Sequence, residues 1–125
     1  MSVVLKKGTA TIYVSDIDRA VKFYSNVLGM RVKSHFSKDY AELEMPGLTI
    51  GLHPPTKSGP PPGSSGSISL GFLVDDLDSV VSNLKGQGVE FRGNVIDDGP
   101  VKLAFFGDPD GNSLYLTQMK KDMWS

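Results

Sequence analysis

Cysteine is absent from all 125 residues. That removes disulfides, thiolate metal ligands and a cysteine nucleophile together. Surplus charge is absent too: 13 basic residues stand against 14 acidic ones, for a net charge of −1. Without a basic stripe interleaved with aromatics, there is no electrostatic case for nucleic acid, and no such partner is expected. No apolar run approaches the roughly 20 residues of a membrane span, and no basic amphipathic helix offers itself to a membrane surface. The opening Met1-Ser2-Val3-Val4-Leu5-Lys6-Lys7 places its charges after its apolar stretch, the reverse of a secretory signal. These absences lead to the expectation of a cytoplasmic protein with no membrane partner.

What is present is a duplication. Residues 9–16 read T-A-T-I-Y-V-S-D and run on into I-D-R-A-V; residues 69–76 read S-L-G-F-L-V-D-D and run on into L-D-S-V-V. Val14 and Val74, Asp16 and Asp76, and Asp18 and Asp78 are each 60 residues apart. A repeat of this period means one supersecondary unit used twice. Each copy alone, about 60 residues, buries too little surface to be stable with ease, so the two are expected to share a core, within one chain or across a homodimer. A site where copies meet would draw residues from matched positions in both. Residues 1–62 carry 8 basic and 5 acidic groups, and residues 63–125 carry 5 and 9. Opposite signs favour association of the halves; chance surface composition explains the numbers as well.

Alternating β-rich residues 8–14 predict a strand with Thr9, Thr11 and Tyr13 on one face and Ala10, Ile12 and Val14 on the other. Ser15-Asp16 supplies a helix N-cap, and Ala20, Val21, Tyr24 and Leu28 form an apolar stripe that Gly29 ends. Strands follow over 31–36, 40–45 and 48–53. The stretch P-P-T-K-S-G-P-P-P-G-S-S-G (54–66) permits no element and reads as a linker. The second copy repeats the plan: a strand from Ser67, a helix capped by Asp75 or Asp76, and strands near 89–92, 101–106 and 113–118. The predicted fold class is α+β, two βαβββ modules in tandem over about 8–53 and 67–118, with a loose tail, 119–125, whose Trp124 docks somewhere. The whole chain, 1–125, reads as a single domain.

V-S-D-I-D-R-A-V-K-F-Y-S-N-V-L-G-M (14–30), L-G-F-L-V-D-D-L-D (70–78) and F-F-G-D-P-D-G-N-S-L-Y-L (105–116) carry a resemblance. They resemble signatures of the vicinal oxygen chelate superfamily, which includes glyoxalase I, extradiol dioxygenases, and fosfomycin and bleomycin resistance proteins. The resemblance covers about residues 8–118. It implies curled mixed sheets, covered by helices, that pair into a half-open, barrel-like cavity. One fold hosts many chemistries, so activity must be argued from the site.

The resemblance also implies where metal enzymes of the family place ligands: one on the first and one on the last strand of each module. Those positions fall on Thr9 and Gly51 in the first copy and on Ser69 and Tyr115 in the second. Divalent Zn, Ni, Fe or Mn sites want imidazole, carboxylate or thiolate. Glycine offers nothing, neutral Thr and Ser bind weakly, and Tyr must first lose a proton. The expectation is therefore no metal and no other cofactor.

Alternation puts Thr9, Thr11, Tyr13, Thr49, Gly51 and His53 on the cavity side of the first module, and Ser69, Gly71, Leu73, Ser113, Tyr115 and Thr117 on that of the second. Hydroxyls, small residues and aromatics suit a neutral or planar ligand; equally, Tyr115 fills the space that a metal leaves. His53 reads as a ligand contact or base, or as a partly solvated residue at a strand end. Glu42 and Glu44 share a face with Tyr40. They read either as solvated carboxylates on an open-edge strand or as a general base whose pKa burial raises. Glu44, His53 and Tyr115 are the candidate catalytic residues. The expected ligand-binding set is Thr9, Thr11, Tyr13, Gly51, His53, Ser69, Gly71 and Tyr115. The first reading of function is a metal-free, bleomycin-resistance-like protein that binds a small planar or amphiphilic molecule. The alternative is a superfamily enzyme of lyase, isomerase or dioxygenase type, using a metal at other positions or metal-free acid/base chemistry. The residues leave open whether any reaction is catalysed.

Overall fold

A computed structural model describes residues 3–64 and 66–119. The tail beyond Met119, with the expected docking of Trp124, lies outside the described residues. The chain falls into two compact units that divide between Pro62 and Gly63, inside the proline-rich stretch. No helix of the described residues is long and apolar enough to cross a membrane.

In the first unit, β1 (Ala10–Tyr13) leads into α1 (Ile17–Lys22), a π-helical turn (Phe23–Val27), and the strands β2 (Arg31–Phe36), β3 (Tyr40–Met45) and β4 (Leu48–His53). The sheet order is β1-β4-β3-β2, with β1 parallel to β4 and the other pairs antiparallel. The Asp16 carboxylate accepts from the Arg19 amide at 3.0 Å and so caps α1. The helix widens where the Ser25 hydroxyl donates to the Val21 carbonyl at 2.6 Å, occupying the acceptor that a regular turn would offer to the Ser25 amide. Gly29, at φ +81°, ends the turn. Ile17, Ala20 and Tyr24 pack on the sheet face formed by Ala41, Leu43, Ile50 and Leu52, and all are at most 3% exposed. Each large side chain on that face contributes about 1.5–3 kcal/mol by leaving water.

The second unit repeats this. It contains β5 (Leu70–Leu73), α2 (Leu77–Gly86), β6 (Ile96–Asp98), β7 (Val101–Gly107) and β8 (Ser113–Met119), in the order β5-β8-β7-β6 with β5 parallel to β8. Asp76 caps α2 through the Ser79 amide at 3.2 Å, and the Gln118 side-chain oxygen accepts from the Leu77 amide at 2.7 Å. Leu77 and Leu84 of α2 are buried, as are Phe72, Ala104, Phe106, Leu114 and Leu116 of the sheet. Both units are the βαβββ modules expected of the α+β class, and neither sheet closes into a barrel.

Three expectations need correction. The first strand of each copy begins at Ala10 and Leu70, so Thr9 and Ser69 lie just ahead of their strands. Residues 89–92 form only an isolated bridge, Phe91 with Phe106, and the edge strand is Ile96–Asp98. Arg92 is drawn to the turn by donating its guanidinium to the Gly111 carbonyl at 2.9 Å, and Gly93 at φ +79° then breaks the strand direction. Finally, β3 lies between β4 and β2 and is not an open edge.

Candidate functional site

Each sheet has one face against its helix and one open face, and the expected site residues sort by that division. On the open face of the first unit, register sets Tyr13 beside His53 and Phe36 beside Tyr40. The ring centroids of Tyr13 and His53 are 5.4 Å apart, and those of Tyr40 and His53 are 6.4 Å apart. The four residues form an aromatic row across the sheet. The next row holds Thr11, Gly51, Glu42 and Ser34. Gly51 is buried, and a Cβ added there would stand 2.5 Å from the Tyr40 hydroxyl oxygen. The Tyr40 ring thus lies over Gly51, at the position where the resemblance sets a metal ligand.

The Tyr40 hydroxyl donates to Glu42 Oε2 at 2.9 Å. Lys7 Nζ and Lys33 Nζ approach Glu42 Oε1 at 3.6 and 3.4 Å. The β2–β3 register shifts between Val32 and Ser34, and the extra residue brings Ser34 and Phe36 to the face that holds Glu42 and Tyr40. Glu44, across from Thr49, pairs with Arg31. Glu42 is not the raised-pKa base that the sequence allows. The Tyr40 hydrogen bond holds its carboxyl below the usual range against the opposing effect of burial, and the two lysines add to that. Burial, then the hydrogen bond to Glu42, pushes the Tyr40 hydroxyl up. His53 Nδ1 lies 2.7 Å from the Pro54 carbonyl oxygen. A carbonyl only accepts, so Nδ1 carries the hydrogen and Nε2 keeps its lone pair in the neutral ring. Register separates Glu44 from His53 by four residues along the paired strands, about 13 Å, so the two do not form one acid/base pair.

On the open face of the second unit, Gly71 pairs with Tyr115, whose ring covers it as Tyr40 covers Gly51. Phe105 stacks against Tyr115 at 5.8 Å, whereas Phe106 is fully buried on the helix side. The Ser113 hydroxyl donates to the Ser69 hydroxyl at 3.1 Å, and Ser69 donates to the Ser113 carbonyl at 3.2 Å. Ser69 is therefore engaged next to Tyr115, and Thr9, ahead of β1, is exposed. Among the described residues no group of three or more His, Asp or Glu side chains is arranged to hold a metal ion.

A separate cleft in the first unit opens at the start of α1, lined by Ser15, Asp16, Asp18, Arg19, Lys22 and Lys38. Its groups serve local structure: Asp16 caps the helix, Ser15 accepts from the Arg19 guanidinium at 2.8 Å, and Asp18 pairs with His35 at 3.2 Å. Alternation in the sequence found Tyr13, His53, Tyr40, Gly71 and Tyr115. It missed Phe36, because the register shift in β2 has no periodic signature, and Lys7 and Lys33, because their meeting at Glu42 is a contact across sequence.

Two βαβββ units with open, aromatic sheet faces define a class, and comparison with known proteins names it. Residues 7–116 match the Glyoxalase/Bleomycin resistance protein/Dioxygenase superfamily, and the chain belongs to that superfamily. It is 33% identical to a Vibrio parahaemolyticus protein named "Probable lactoylglutathione lyase", over 86% of each chain. It is 28% identical to the lactoylglutathione lyase of Schizosaccharomyces pombe over 93% of its own length, and spans 48% of that relative, about half. Among solved structures it is similar to TnmS3, an antibiotic-binding protein of a Streptomyces species, at 25% identity and a TM-score of 0.75, over 95% of this chain and 99% of that one.

Proposed function

We propose that this chain is a cytoplasmic, homodimeric binding protein that holds a small planar molecule on the open aromatic sheet faces without a resident divalent metal. The observation that carries the reading is what stands at the four family ligand positions. Gly51 has no side chain and lies under Tyr40; Tyr115 lies over Gly71; Ser69 hydrogen-bonds within its own unit; Thr9 precedes its strand. This donor set does not suit a divalent metal, so no step of chemistry is routed through one. The row Tyr13, His53, Tyr40 and Phe36 offers aromatic surface with polar edges, and its rings, tilted by 53° and 67°, suit face and edge contacts to a planar ring. The likeness to an antibiotic-binding protein adds support for a small-molecule ligand. Thr11 and Gly71 complete the binding set with the residues named above. Exposed apolar side chains outside that row, Ile68 and Ile96 at 65% and 45% exposed, support the homodimer, because a second copy would cover them.

The test is calorimetric titration of the full chain with a panel of planar aromatic compounds, charged and neutral. Binding of at least one is expected; binding of none overturns the reading. A second reading, catalysis, is favoured by the relatives named lactoylglutathione lyase. Assay of lactoylglutathione turnover with and without added Zn or Ni decides between them, and turnover above background establishes the second.

A further inference from the structure

The charges beside the aromatic row are unbalanced, and this narrows the class of ligand. Lys7 and Lys33 converge on a single oxygen of Glu42, at 3.6 and 3.4 Å. Glu42 is the one carboxylate that the described residues set against these two ammonium groups. Its other oxygen is taken by the Tyr40 hydroxyl at 2.9 Å. The nearby Glu44 is already paired with Arg31. Two cations thus share one anion, leaving a surplus positive charge at a fixed place. That place adjoins the ring of Tyr40, because the same carboxylate bridges ring and ammonium groups. The two ammonium groups also act on each other: the neighbouring Lys7 lowers the pKa of Lys33. A second anion would relieve that repulsion. Both side chains keep solvent access, 52% and 39% exposed, so an incoming group can reach them.

We propose that the first unit recognises an aromatic acid, with its ring on the Tyr13–His53–Tyr40–Phe36 row and its carboxylate on Lys7 and Lys33. This rests on the planar-ligand reading and adds the charge of the ligand. The β2 register shift contributes the end of the ring row, since it brings Phe36 to the open face.

The experiment titrates the full chain with 2-naphthoate and with 2-naphthamide, which has the same ring without the charge. Naphthoate is expected to bind about tenfold tighter, because charge-assisted hydrogen bonds are roughly twice as strong as neutral ones. The preference is expected to shrink as salt is raised, because these ammonium groups are solvent-exposed. Lys7→Gln with Lys33→Gln is expected to bring the ratio to about one, and Lys7→Arg with Lys33→Arg to keep a preference for the acid. Equal binding of both probes by the native chain, or tighter binding of the amide, overturns the acid proposal and leaves the planar-ligand reading standing. A preference that survives the double glutamine substitution, with far-UV circular dichroism unchanged, also overturns it. Binding of neither probe overturns the acid proposal, and the wider panel of planar compounds then decides the planar-ligand reading. The salt dependence is measured on the native chain, so the proposal stays open to refutation if a variant fails to fold.

Discussion

Gly51→Ala tests the packing of the first open face at its tightest point. Gly51 sits on the central strand β4, and a Cβ there would meet the Tyr40 hydroxyl oxygen at 2.5 Å, Cζ at 3.1 Å and Cε1 at 3.2 Å. The obstacle is the far end of one side chain, so the ring moves while the strand stays. Moving it breaks the hydrogen bond from Tyr40 to Glu42, a loss of about 1–1.5 kcal/mol. The contact between Tyr40 and His53 adds about 0.5 kcal/mol. Restricting the unfolded chain returns about 0.5 kcal/mol. The net expectation is a loss of about 1–1.5 kcal/mol, a fall in Tm of roughly 3–5 °C for a chain of this size. Urea denaturation followed by circular dichroism measures it. In a Tyr40→Ala background the ring is gone, and the same Gly51→Ala change should be neutral or slightly stabilising. An equal loss in both backgrounds refutes the steric account, because the cost would then not come from the ring.

Tyr40→Phe should raise the Glu42 pKa, since that hydrogen bond is the largest influence holding it down. A lowered folded-state pKa stabilises the protein above the ordinary glutamate value of about 4.3, and that stability is lost as pH falls through the lowered value. The variant should therefore lose less stability on acidification; carbon-detected NMR titration of Glu42 checks the pKa, and an unchanged value contradicts the assignment. Phe106→Ala, at a fully buried position 5.3 Å from the Phe91 ring, should cost about 3–5 kcal/mol in urea unfolding. Asp108→Ala should cost about 2–3 kcal/mol by the same measurement. The Asp108 carboxylate accepts from the Asp110 and Asn112 amides at 3.0 and 2.8 Å and from the Asn112 side chain at 2.9 Å, leaving buried donors unmatched when it goes.

The fold was legible because the repeat is strict where it matters. Asp16 and Asp76, 60 residues apart, both cap helices, and β1 and β5 both pair in parallel with the last strand of their unit. Strands 31–36, 40–45 and 48–53 emerge at their observed bounds, since alternation and the turn at Gly47, φ +85°, agree there. The edge strand of the second unit was not legible. Ile96-Asp97-Asp98 is short and exposed, and its three residues pair with Leu103, Lys102 and Val101 of β7, a register that no local period encodes. The site divides the same way. Period two assigns Tyr13, His53, Tyr40, Gly71 and Tyr115 to their open faces. The tyrosine rings lying over Gly51 and Gly71 depend on side-chain direction, and the arrival of Phe36 depends on a register shift, neither of which alternation carries.

The most direct test of metal-independent binding is calorimetric titration of the full chain with 2-naphthoate in chelator, repeated after one equivalent of Zn is added to chelator-free protein. The same Kd is expected in both conditions. Binding that appears only after the metal is added contradicts metal-independent binding.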